Sequence, residues 1–270
     1  METSEATRVE RDGGLITVTL NRPEKKNALN GDNWGDLDRV VTELETDPTA
    51  RALVLTGAGG NFSSGADLSG GLSGGGESKG LTGRGQQPIV SEMRIVGELI
   101  GRLRRLPKPT IAAVDGVAVG VALGLVLACD LVIASDRSQF SQIFVRRGMA
   151  LDGGTSWFLP NQIGLRRAKQ MAFFGDALDS ATALQWGLVN EVVAPEELET
   201  TAAEWGTRLA NGPTLAISLI KRLLDNGVAA SFEATIEDEA RAQHVAFTTD
   251  DMKEGILAFL ERRAPEFKGA

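Results

Sequence analysis

Two glycine-bearing turns dominate the chemistry that this chain of 270 residues can do. Ser64-Gly65-Ala66-Asp67-Leu68 is one, and the stretch from Gly116 to Ala122 is the other. Each follows a short apolar run that reads as a buried strand. Small residues at such turns let a carbonyl approach the backbone closely. Two fixed backbone N–H donors then hold the negative charge that develops on the carbonyl oxygen. Val121 lies near the start of a predicted helix, whose dipole adds to that stabilisation. Such a site suits proton removal beside a carbonyl, or addition across a double bond conjugated to it. A carboxylate, Asp152, precedes Gly153-Gly154. It reads either as the cap of a helix opening at Thr155 or as an acid–base group.

Other motifs fail on their context. Gly71–Gly75 matches G-x-S-x-G but sits in a glycine-rich loop, without the flanking strand and helix that a nucleophile needs. Gly57-Ala58-Gly59 begins like a dinucleotide fingerprint, yet the next required glycine falls on Phe62. No G-K-[ST] sequence occurs. The single histidine, His244, lies in a predicted helix and reads as structural. One cysteine, Cys129, leaves no disulfide within the chain and no Cys-rich metal site. A net charge of -8 argues against a nucleic-acid partner. The polar N-terminus does not read as a signal peptide. The uncharged run Gly116–Cys129 is shorter than the roughly 20 residues of a membrane-spanning helix. A soluble, cytoplasmic protein with no membrane partner is expected.

The elements that must position these turns alternate between strand and helix. Leu15–Leu20, Ala52–Thr56, Thr110–Val114, Leu131–Ala134 and Glu191–Val193 read as strands. Asn30–Thr46, Ile89–Leu106, Gly120–Ala128, Ile163–Phe174 and Ala181–Gly187 read as helices. Strand–helix–strand order implies crossover units and parallel pairing. Ser69–Gln87 is a glycine-rich polar loop, and a loop of that length inside a compact domain is either mobile or functional. From Pro195 onward strand signals stop, and four helices are predicted, over 196–211, 213–226, 231–248 and 251–263. The division is therefore a core over residues 1–195 and a helical subdomain over 196–270.

These marks together resemble the crotonase (enoyl-CoA hydratase/isomerase) superfamily over nearly the whole chain. They are Asn21-Arg22-Pro23 with Asn27-Ala28-Leu29, then Leu53–Gly57, Ser64–Leu68, Pro109–Gly120 and Cys129-Asp130. Asp152–Thr155, Gly187–Asn190 and Lys253–Arg263 complete the set. The resemblance implies an α/β fold, a spiral of β-β-α units with a C-terminal helical trimerisation subdomain, as a homotrimer or a hexamer of two trimers. It implies an acyl-CoA substrate, with coenzyme A as part of the substrate and no metal or redox cofactor. The N–H groups of Ala66 and Val121 would form the oxyanion hole. Lys25, Lys26, Ala28, Leu29, Asp67 and Leu68 would line the CoA channel. Phe259 and Arg262 would meet its adenine and phosphate end.

Hydratases of that family carry two glutamates, which would fall at Gly124 and Phe144. Both are missing, while Asp152 resembles the aspartate of some isomerases of the family. A single carboxylate with a raised pKa suffices for Δ3-Δ2 enoyl-CoA isomerisation. That is the expected activity. A hydratase with a rearranged water site, other CoA-thioester chemistry, and a non-catalytic acyl-CoA-binding protein are the alternatives.

Overall fold

Five apolar runs and one charged edge strand build the central sheet in the computed structural model, which describes residues 3–70, 82–85 and 88–270. β1 (Thr7–Asp12) and β2 (Leu15–Leu20) form an antiparallel hairpin about Gly13-Gly14. α1 (Gly31–Thr46) then leads to β3 (Ala52–Gly57), and α2 (Ile89–Arg105) to β4 (Thr110–Val114). β5 (Val117–Val119) and α3 (Val121–Ala128) precede β6 (Leu131–Ser135) and β7 (Gln139–Ser141). Then come α4 (Thr155–Ile163), α5 (Leu165–Phe174), β8 (Ala177–Asp179), α6 (Ser180–Trp186) and β9 (Glu191–Val193). The main sheet runs β1-β2-β3-β4-β6-β9, parallel from β2 onward, and β5-β7-β8 form a smaller second sheet.

Alternation along β3 and β4 sorts the core onto two faces. Leu53, Leu55, Ala112 and Val114 face the larger apolar cluster, which holds residues of α1, α2 and α3. Ala52, Val54, Ile111 and Ala113 face the other way, against α7 (Leu198–Ala210). Gly206 of α7 approaches so closely that an added Cβ would meet the Leu15 side chain at 2.9 Å. The helical tail after residue 195 is therefore divided in its packing. α7 covers the main sheet, while α8 (Thr214–Gly227), α9 (Phe232–Ala246) and α10 (Asp250–Glu261) extend beyond it.

Two sequence expectations need correction. In the sequence β1 reads as part of the polar N-terminus, because its charged residues hide the alternation. It is an edge strand, where charge is the usual guard against further pairing. The helix expected over Ile163–Phe174 breaks at Gly164, whose φ of +81° ends α4 and starts α5. No helix among the described residues is long and apolar enough to cross a membrane.

Candidate active site

The two turns singled out in the sequence are stitched together by backbone bonds. Ser63 N–H donates to Val117 O at 2.8 Å, and Val119 N–H donates to Ser63 O at 3.1 Å. Ser63 thus pairs with Ala118 in a parallel bridge. Ala66 and Val121 each lie three residues further on. Gly65, with φ +97°, leaves no room for a side chain, since a Cβ would meet Val119 O at 2.8 Å.

On its other side the first turn pairs with Leu29. Leu29 N–H donates to Gly65 O and Asp67 N–H donates to Leu29 O, both at 2.8 Å. In a parallel bridge the residue between those two points its own N–H the opposite way. The Ala66 N–H is therefore turned away from Leu29. Val121 opens α3, so its N–H has no intrahelical acceptor. Among the described residues neither amide donates to any protein group.

A cavity of about 400 Å³ is lined by both Ala66 and Val121. Ser64, Gly65, Ala66 and Leu68 line it from the first turn, and Gly120 and Val121 from the second. Ile89, Met93 and Val96 of α2, with Trp34 of α1, form an apolar wall. Ile143, Phe144, Arg147 and Met149–Asp152 close the far side. Phe144 is buried and stands under Gly120, whose added Cβ would touch its ring at 3.6 Å. The apolar wall was not assigned to a site from sequence. Ile89, Met93 and Val96 have the spacing of a helix face that packs into any core.

Asp152 is the one carboxylate lining this cavity among the described residues. It does not cap α4: the cap position is Gly154, and no side chain bonds there. Its backbone carbonyl accepts from Thr155 N–H and Thr155 Oγ1 instead, at 3.1 and 2.7 Å. Its carboxylate oxygen Oδ1 is buried without a hydrogen-bond partner. Desolvation pushes the group up to a pKa of about 6.

The residues expected along a CoA channel adjoin the Ala66 turn. Lys25 is exposed at the end of a 3-10 turn, with Nζ 3.4 Å from Asp67 Oδ2. Lys26 has φ +48° and its carbonyl accepts from Ser64 N–H. Ala28 is buried and its carbonyl accepts from Arg22. Asn27 holds this segment down, donating to Ala58 O and Asn61 O. Asp67 bonds Arg22, Lys25 and Ser69. Burial would raise its pKa, but the bonds from Ser69 and Arg22 outweigh burial and hold it below the usual range. Leu68 lines the cavity and is partly exposed. Phe259 projects into solvent from α10 and Arg262 ends that helix with φ +56°; neither lines the cavity.

Gly71–Gly75 and most of the Ser69–Gln87 loop lie outside the described residues.

The model of the family described as Enoyl-CoA hydratase/isomerase matches residues 10–270. The chain is 36% identical over 256 residues to 1,2-epoxyphenylacetyl-CoA isomerase of Escherichia coli K12, covering 95% of each. It is 33% identical to trans-2-decenoyl-[acyl-carrier-protein] isomerase of Streptococcus mutans, covering 96% of each. The crystal structure of an enoyl-CoA hydratase from Bacillus anthracis superposes with a TM-score of 0.89 at 28% identity, covering 98% of this chain and all of that one.

Proposed function

The chain belongs to the enoyl-CoA hydratase/isomerase family, and on that footing we propose that it shifts a carbon–carbon double bond in an acyl-CoA. The Δ3-enoyl thioester binds with its carbonyl oxygen on the N–H groups of Ala66 and Val121. Asp152 takes a proton from C2, and the electron pair moves into the dienolate, whose oxygen the two amides hold. Asp152 then returns the proton to C4, leaving the Δ2 isomer. One carboxylate performs both transfers, because a group near pKa 6 both accepts and releases a proton at neutral pH.

The observation that carries this reading is the unpartnered, buried Oδ1 of Asp152 in a cavity lined by no other described carboxylate. Hydration by the usual route of the family would need a second acid there, and Phe144 presents an aromatic ring instead. The isomerase names of two relatives favour the same direction, although each name speaks for its own protein.

Coenzyme A would run from the cavity past Leu68 along the Lys25–Leu29 segment, with Phe259 and Arg262 meeting its far end from a second copy. An assembly as trimer or hexamer would cover the apolar face of the tail, where Leu224, Phe232, Ile236, Leu257, Phe259 and Leu260 are exposed.

The test is turnover of purified protein on 3-enoyl-CoA and on 2-enoyl-CoA, beside Asp152→Asn. Isomerisation of the first substrate, abolished in the variant, is expected. Hydration of the second at a normal rate with no isomerisation of the first would overturn the proposal.

A further inference from the structure

Gly124 stands in the middle of α3, an eight-residue helix, where glycine is a poor choice for helix stability. The reason lies across from it. A Cβ on residue 124 would come within 2.5 Å of Gly153 O, and within 3.2 Å of the Gly153 carbonyl carbon and Cα. Those atoms are backbone, so no side-chain rotation relieves the clash and the turn itself must move. From the other side, a Cβ on Gly153 would meet Val121 Cγ2 at 3.2 Å and Ile100 Cδ1 at 3.4 Å. The turn that carries Asp152 is thus seated directly on α3, with Val121 and Ile100 beneath it. The same helix offers the Val121 N–H at its first residue. Donor and carboxylate are held by one packing unit.

We propose that Gly124 is a positioning residue: by lacking a side chain it lets the Gly153 carbonyl seat against α3 and so fixes the Asp152 carboxylate at the cavity. The proposal rests on the reading of Asp152 as the base. It also means that an acid at residue 124 and the Asp152 turn exclude each other in this backbone. Residue 124 therefore selects the class of reaction, admitting single-carboxylate proton transfer and refusing the acid pair that adds water.

Three readings on Gly124→Ala and Gly124→Glu test this: kcat and KM for 3-enoyl-CoA, hydration of 2-enoyl-CoA, and the titration of the Asp152 carboxyl followed by carbon-13 NMR. In Gly124→Ala the turn lifts and water enters beneath it. The expected result is a kcat lowered about 10-fold or more with KM changed less than about 3-fold, as for a misplaced reacting group. The Asp152 midpoint is expected to move down from about 6 toward an ordinary carboxylate. Gly124→Glu is expected to lose isomerisation and gain no hydration.

A Gly124→Ala protein with wild-type kcat and an unmoved midpoint overturns the proposal. A Gly124→Ala chain that does not fold overturns it as well, because Gly124 would then be a core-packing residue whose neighbour does not yield. A Gly124→Glu variant that hydrates 2-enoyl-CoA while still isomerising contradicts the exclusion. The NMR midpoint needs no turnover, so it judges the seat separately. If Asp152→Asn kept full activity, the reading of Asp152 as base would fall, and the midpoint in Gly124→Ala would still decide whether Gly124 sets the turn.

Discussion

Asp67 and Asp152 sit on two turns flanking one cavity, and their surroundings push them in opposite directions. Asp67 bonds Arg22, Lys25 and Ser69, and is held ionised. Asp152 has a buried oxygen with no partner and a pKa near 6. The first carboxylate is bound up in holding the Ala66 turn to the Arg22–Leu29 segment. The second has its proton affinity raised by burial, and among the described residues its Oδ1 finds no hydrogen-bond partner. The difference in environment is what favours Asp152 over Asp67 as the acid–base group in the proposed reaction.

The comparison breaks most visibly at Asp152. Asp152→Asn should lower isomerisation about 10³-fold while acyl-CoA still binds, as for loss of a general base. Its stability effect runs the other way. A raised carboxyl pKa stabilises the fold below the unfolded value, and that contribution is lost as pH rises through about 6. At pH 8 Asp152→Asn should therefore be more stable than wild type by about 1–2 kcal/mol, read from urea denaturation.

Val121→Pro removes the backbone donor of the second turn, and Val121→Ala, which keeps the N–H, is the control for the lost side chain. Proline is tolerated at the first position of a helix and removes the N–H. Turnover should fall about 10²-fold with little loss of stability, which thermal melting checks.

Asp67→Asn sharpens the contrast. Stability at pH 7 should drop by about 1–2 kcal/mol, since bonds between charged groups are lost. The effect should begin to fade below about pH 4, where the carboxyl of the unfolded chain protonates, and disappear only well below that, where the folded carboxylate itself protonates. kcat should stay within about 3-fold, because no proton passes through Asp67. The smallest change is expected for Phe259→Ala, which should raise KM for acyl-CoA a few-fold and leave kcat alone. That pattern marks lost uniform binding.

The two glycine-bearing turns that line the cavity were legible from sequence because each is a short apolar run ending in small residues. Asp152 was legible as a carboxylate before Gly-Gly, but its role was not, because the same pattern also fits a helix cap. The cap at Gly154 removes the capping alternative, and the Oδ1 without a partner among the described residues supports the other. Gly124 showed in sequence as a missing acid; its approach to the Gly153 carbonyl is a contact between backbones, which no residue pattern encodes. β1 escaped because an exposed edge strand has no strong apolar period. Met93 and Val96 escaped for the opposite reason, since a helix face on a cavity has the period of one in a core.

The pH dependence of kcat/KM for 3-enoyl-CoA tests the account most directly, measured between pH 5 and 8 on wild type and on Asp152→Asn. A base must be ionised to take the proton, so wild-type kcat/KM should rise about tenfold per unit below a single midpoint near 6 and level off above it. In Asp152→Asn that midpoint should vanish along with most of the rate. A wild-type profile flat across this range, or the same midpoint persisting in Asp152→Asn, would contradict the assignment of Asp152 as the proton shuttle.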